Sequence, residues 1–361
     1  MQDVDAIVQR LDAGNVFVHA AVRSVAAGAR VPEPPEGPAW RVRAGQHGVL
    51  SIIAEHLQPP SDEELRAARL RRTVHHLQTM ADLRFVREVL DGAGIAWLVF
   101  KGPVLSEVVY QRKGARNCGD LDILVHPRDV DRAVHRLLDR GVSRLRRDWR
   151  ALRAQGDGEC EFLLPNGTPI DLHWDAINDV RVRPGFSFLT EKLFAASRSV
   201  LIGDLAVRTF SPVDTALHVA LHGCRSGGDR LRWLLDLQQS LLRCDTGAAG
   251  LLERARTLRV ELVLRAMLNR VALFVGDQGL PTLSQPTTAH RTWLAADSLM
   301  ITRYPPGSRY EGRFSGAIMT DSTRAGAARS WAALGCVAPR TLWGHFTVRR
   351  GKMANPVRSP L

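Results

Sequence analysis

The chain has 361 residues, enough for two or three domains and a sizeable core. With 45% hydrophobic and 24% charged residues it has the composition of a soluble globular protein. No apolar run reaches the length of a membrane helix, and the acidic start Met1-Gln2-Asp3-Val4-Asp5 lacks the basic-then-apolar pattern of a signal peptide.

A formal net charge of +12 will draw anions, but it does not read as a nucleic-acid face. Only Lys101, Lys113, Lys192 and Lys352 are lysines among the 49 basic residues, so the arginine excess looks like a genome-wide bias. Five cysteines (Cys118, Cys160, Cys224, Cys244 and Cys336) include no C-x-x-C pair, which favours reduced thiols in a cytoplasm over a disulfide framework or a zinc site.

Residues 1–31 carry helix-compatible apolar spacing and end in the Pro-rich breaker Val31 to Pro38. Helical pattern resumes at Trp40. After Pro59-Pro60, Ser61 with Glu64 makes a capping box for a helix reaching Leu90, closed by Gly92 and Gly94. Ile95 to Phe100 is a continuous apolar run bounded by glycine, hence a buried strand. It feeds Lys101-Gly102-Pro103 and then an expected amphipathic helix from Val104 to Arg112. A glycine and a lysine at a helix start make a phosphate-binding turn.

A basic loop carrying Arg112, Lys113 and Arg116 leads to Gly119-Asp120-Leu121-Asp122-Ile123-Leu124-Val125. Read as one strand, this puts Asp120 and Asp122 on one face, about 7 Å apart along the chain. Paired acids repel unless a cation sits between them, and such oxygen donors suit Mg²⁺. Val130, Ala133, Val134, Leu137 and Leu138 then mark one helical face. Two strands, Cys160–Leu164 and Pro169–Trp174, flank an Asn166-Gly167 hairpin turn. In the second, Ile170, Leu172 and Trp174 share a face, which turns Asp171 and His173 to the other.

From Ser211 onward the pattern is helical to about Met300, and after Asp321 the chain has no acid. His218 and His222 are spaced like a helical metal pair, yet no acid between them or third ligand supports zinc. The expected units are a helical region 1–92, a catalytic core 93–210, a second helical region 211–300 and an irregular basic tail 301–361.

The order strand, Lys-Gly, helix, basic loop, Asp-x-Asp strand, helix, hairpin with a third Asp resembles the DNA polymerase β-type nucleotidyltransferase superfamily. More closely it resembles the bacterial proteins labelled uncharacterised nucleotidyltransferases. The carriers are Trp97 to Pro103 and Arg116 to Val125, supported by Asp171 to Trp174 and by His218 to His222 with Leu231 to Asp236.

The resemblance implies an α+β fold: a short mixed sheet with helices, flanked by helical regions. It implies an enzyme moving an NMP from an NTP, with ATP as the working choice, to a hydroxyl of a small molecule or peptide, with no membrane partner. Two Mg²⁺ ions, replaceable by Mn²⁺, would lie about 4 Å apart. Asp120, Asp122 and Asp171 would be the catalytic, metal-holding acids, and Lys101, Gly102, Arg116 and Gly119 would bind the nucleotide. His222, Arg232 and Asp236 would line the acceptor cleft, the last two sharing a helix face.

Pro103 departs from the superfamily's usual Gly or Ser and offers no N–H or hydroxyl, so triphosphate binding would lean on Lys101 and Gly102. Alternatives are the same fold acting on RNA or a protein side chain, a weakened nucleotide-binding protein, or a glycosyltransferase. The last would want a nucleotide-binding strand unit where a long helical region stands.

Overall fold

A computed structural model describes residues 11–57, 63–144, 148–180 and 182–303. The expected capping box at Ser61 and the basic tail from residue 304 lie outside these residues. The fold is mixed α+β, with a small mixed sheet as its middle layer.

The chain begins with helices α1 (Ala13–Ala26), α2 (Ala39–Gln46), α3 (Leu50–His56) and the long α4 (Glu63–Gly92). Asp12 caps α1, its carboxylate accepting from Asn15 N at 2.9 Å. The five-stranded sheet runs β1-β2-β5-β4-β3: β1 (Trp97–Phe100), β2 (Leu121–Val125), β3 (Ser143–Arg144), β4 (Glu159–Leu163) and β5 (Pro169–His173). All residues of β1 and β2 are buried, Asp122 included, and β1 is the unbroken apolar run that such burial favours. β2 pairs antiparallel with β1 and parallel with β5, in a register that sets Asp122 opposite Asp171 and Leu124 opposite His173.

Strand alternation divides the sheet's two faces between two cores. Val99, Leu121, Ile123, Val125, Ile170 and Leu172 pack with α4 and with α6 (Val130–Asp139). Leu98, Phe100 and Leu124 pack with α1–α3 and with the C-terminal helices α9 (Pro212–Arg225), α10 (Leu231–Leu241), α11 (Gly247–Thr257) and α12 (Glu261–Phe274). The carboxylates of β2 and β5 belong to this second face. Two short helices, α7 (Trp149–Ala154) and α8 (Thr190–Ala195), edge the sheet, and α13 (Thr288–Arg303) follows α12.

Three local details differ from the expectation. After Lys101 the chain forms only the three-residue turn α5 (Gly102–Val104) and a π-helical turn at Leu105–Val109, not a helix to Arg112. It leaves at Tyr110, whose backbone is extended and whose hydroxyl donates to Asp236 Oδ1 at 2.8 Å. Strand β2 begins at Leu121, so Asp120 stands in the preceding turn, and strand alternation does not govern where it points. The fold also contains an antiparallel hairpin of β6 (Arg198–Ile202) and β7 (Leu205–Thr209), which is not among the expected elements.

The N- and C-terminal helices meet at a buried histidine. His47 Nε2 faces Asn15 Oδ1 at 3.1 Å, and Leu231 N donates to its Nδ1 at 3.5 Å. Burial, then the charges of His19 and Arg230, push its pKa down to about 3 from 6.5. The unfolded chain takes up a proton below pH 6.5 while the folded one does not, so this site loses stability as pH falls through that window. His47→Gln should therefore lose about 3 kcal/mol less than wild type between about pH 7 and pH 4.5. Parallel urea titrations of the two proteins at each pH would check it; equal losses would show that His47 does not titrate in the window.

Candidate active site

Lys101 stands where β1 turns into α5, with φ 55 and ψ −117. A side chain in that region costs about 1–3 kcal/mol and persists only where the surroundings enforce it. Here its ammonium lies 2.5 Å from Asp122 Oδ1. Burial works to lower the Lys101 pKa, but Asp122, Glu159 and Asp120 outweigh it and raise it. Gly102 is required beside it: a Cβ there would come within 3.1 Å of Asp120 O.

Asp122 is buried, and burial alone would raise its pKa. Lys101 and then His173 override this and hold the carboxyl well below the usual range. His173 Nε2 is 3.1 Å from Asp122 Oδ1, while its Nδ1 lies 3.1 Å from Glu159 Oε2 without the alignment of a hydrogen bond. Asp171, one strand over, is the opposite case. Burial and the neighbouring Asp122 raise its pKa to about 7, with His173 opposing.

Donor atoms of Asp122, Asp171 and His173 all lie within 4.8 Å of one another, the only such group among the described residues. The lysine on Asp122 shows that this spot already draws a cation, so the set fits a divalent ion. Asp120 falls outside the group and is exposed, because it precedes the strand. Burial of its surroundings and the charge of Asp122 still raise its pKa, so it stands at the mouth of the same site.

The basic loop behaves differently from the expectation. Arg116 does not face solvent as a phosphate clamp; it is buried, with Nε 2.8 and 3.0 Å from the two oxygens of Asp236. Asp236 is therefore held in a buried ion pair with Arg116 and accepts from the Tyr110 hydroxyl, and among the described residues it does not pair with Arg232. Gly119 is exposed in the turn before Asp120.

His222 keeps solvent exposure on α9. Yet crowding around it, then the charge of Lys101, with Arg116 and Arg232 adding to it, pull its pKa down to about 3 against the opposing charge of Asp122. Exposure with dense, charged surroundings is what a residue in a cleft wall shows. His218 is buried deeper, its Nε2 3.3 Å from Ala176 O, and its ring packs on Phe100 and Phe210. It is a core histidine and not half of a metal pair.

His173 shares the face of Asp171, as strand alternation predicts, and its place against Asp122 follows only from the pairing of β2 with β5. Glu159 and Tyr110 carried no local signal, since their partners lie far along the chain.

Opposed carboxylates on adjacent parallel strands, beside a lysine at a strand-to-helix turn, are an arrangement suited to enzymes that transfer a phosphate-bearing group. The chain belongs to the uncharacterised nucleotidyltransferase family, whose pattern matches residues 43–276, and it is an enzyme of nucleotidyl transfer. No curated protein matches it. Two crystal structures are similar in part. An antigenic nucleotidyltransferase-like protein from Paracoccidioides brasiliensis is 16% identical, with a TM-score of 0.35 over 56% of this chain and 86% of its own. The lincosamide antibiotic adenylyltransferase LnuA, bound to lincomycin, is 15% identical, with a TM-score of 0.31 over 46% and 94%.

Proposed function

We propose that this enzyme moves an NMP from an NTP to a hydroxyl of a small molecule or peptide, with Mg²⁺ or Mn²⁺ as cofactor. The observation that carries the proposal is the convergence of Asp122, Asp171 and His173 donor atoms within 4.8 Å, with Lys101 on the same carboxylate. Asp122 and Asp171 would hold the cation, and Asp120 at the mouth would join a second one. A bound divalent ion supplies neutralisation for the triphosphate and the attacking oxygen.

The protein's own residues do the positioning. His173 orients Asp122 through the 3.1 Å contact, as residues behind metal-holding carboxylates do. With a cation held by Asp122, the Lys101 ammonium would be free for a phosphate oxygen. Gly102 brings the turn against Asp120, and Gly119 leaves the approach to it open. Arg116 serves the nucleotide side indirectly, by tying the loop before Asp120 to α10. His222 lines the acceptor wall. Residues 93–210 would form the catalytic unit, with the helical regions closing the cleft. Among the described residues no helix is long and apolar enough to cross a membrane, and the free thiols at Cys118, Cys160, Cys224 and Cys244 suit a cytoplasmic enzyme.

The test is incubation of the protein with each labelled NTP and Mg²⁺ or Mn²⁺, against a mass-shift screen of hydroxyl-bearing metabolites and peptides. An adduct of one NMP is the expected product. Neither binding nor transfer of any NTP would overturn the proposal.

A further inference from the structure

Three cations surround the carboxylates, and two of them are already neutralised. Lys101 sits on Asp122 at 2.5 Å and Arg116 on Asp236 at 2.8 Å. The third, Arg232 on the first turn of α10, has no counterpart. Its charge is felt by Arg116, Asp236, Tyr110, Asp120 and His222. Yet among the described residues its side chain makes no hydrogen bond or ion pair, and its Nε is shut off from solvent with nothing to donate to.

That arginine is held in place. Gly48, in the turn between α2 and α3, has φ +69, and a Cβ added there would meet Arg232 Cδ at 3.1 Å and Nε at 3.3 Å. The backbone joins in, with Arg232 N donating to His47 O at 3.2 Å. The glycine turn thus forms a seat for the arginine stem, which keeps the guanidinium within electrostatic reach of Asp120 with little freedom to swing away. Burial, followed by repulsion from Arg116, lowers its pKa, so the fold carries an unfavourable charge at this point. An arginine in this state is preorganised for an anion, and its planar fork matches phosphate oxygens better than a point charge does.

The site has a corresponding deficit. Pro103 removes an N–H from the turn where a phosphate would be expected to dock, Lys101 is available only when a cation takes its place on Asp122, and Arg116 is consumed by Asp236. We propose that Arg232 anchors the polyphosphate tail of the NTP, so that the main phosphate subsite lies on the α10 wall, with Lys101 at the α5 turn reaching a single oxygen. This moves Arg232 from the acceptor side, where the sequence reading sets it with His222 and Asp236, to the donor side. The inference rests on the site being one that consumes an NTP, and its test is chosen to separate the two.

The test uses the full chain and inorganic tripolyphosphate, followed by calorimetry without nucleotide or acceptor. Wild type is expected to bind. Arg232→Met should weaken binding at least tenfold, and Arg232→Lys, which keeps charge but loses the fork, should fall between. Arg232→Met should melt at the wild-type temperature or above, since it removes an uncompensated cation; a merely structural arginine would lower it. In turnover assays the KM for NTP should rise in Arg232→Met while that for the acceptor stays put. If tripolyphosphate affinity is unchanged in both variants, or only the acceptor's KM moves, the assignment is overturned while nucleotidyl transfer stands. If wild type binds neither tripolyphosphate nor any NTP, both readings fall together.

Discussion

Asp122→Ala should abolish turnover and also destabilise the protein by about 3–5 kcal/mol, the cost of removing one member of a buried ion pair. The paired acids of the sequence suggest the reverse, because deleting one of two repelling carboxylates ought to relieve strain. What reverses the sign is Lys101, whose ammonium lies 2.5 Å from the carboxylate, with His173 at 3.1 Å. Without Asp122 a lysine in a left-handed conformation would keep its backbone cost and lose the partner that sustains it.

The depressed Asp122 pKa gives a further signature. Its contribution to stability is fully present above the ordinary aspartate value of 3.8 and is lost as pH falls toward the folded value. Asp122→Asn, which keeps the shape, should melt closer to wild type, yet still lose about 10³-fold or more in kcat/KM, the scale on which lost electrostatic stabilisation registers. Thermal melts and single-turnover transfer on both variants decide the matter. An alanine variant that melts and turns over like wild type would remove Asp122 from the site.

How far the sequence could carry this reading depended on the range of the interaction. β1 was legible because an unbroken apolar run between glycines leaves few alternatives, β2 because Leu121, Ile123 and Val125 alternate with Asp122 before Pro127, and the β4–β5 hairpin because Asn166-Gly167 fixes its turn. The facing of Asp171 followed from Ile170, Leu172 and Trp174 sharing the opposite side. Asp120 was misjudged by one residue of strand: alternation was extended past Leu121, where the ladder starts.

The β6–β7 hairpin shows Leu205, Val207 and Thr209 buried in alternation with Ala206 and Arg208, a signal present in the sequence but short enough to overlook. The pairings that define the site's electrostatics were not legible at all. Arg116 finds Asp236 across 120 positions and Tyr110 finds it across 126. Arg232 instead offered Asp236 a neighbour four residues away, which local rules preferred. Only packing α10 against the π-helical turn reveals which arginine holds the acid.

That choice of partner gives the other large effect. A surface pair between Arg232 and Asp236 would be worth less than about 1 kcal/mol, so Asp236→Ala would scarcely register in a melt. The observed arrangement predicts about 3–5 kcal/mol of destabilisation instead, because Arg116 would be left charged in a buried site and Tyr110 would lose its acceptor. Replacing both members of the pair, as in Arg116→Met with Asp236→Leu, should recover part of that loss, and the double-mutant cycle should show a coupling of about 1–3 kcal/mol. The kinetic consequence follows from where the pair sits. Arg116 is four residues before Asp120, so releasing it from α10 loosens the loop that delivers the carboxylate to the mouth of the site. A folded Asp236→Asn variant should therefore show a raised KM for NTP. If Asp236→Ala instead melts with wild type and alters the acceptor's KM alone, the acid faces the cleft, and the buried pair is not what joins the basic loop to the helical wall.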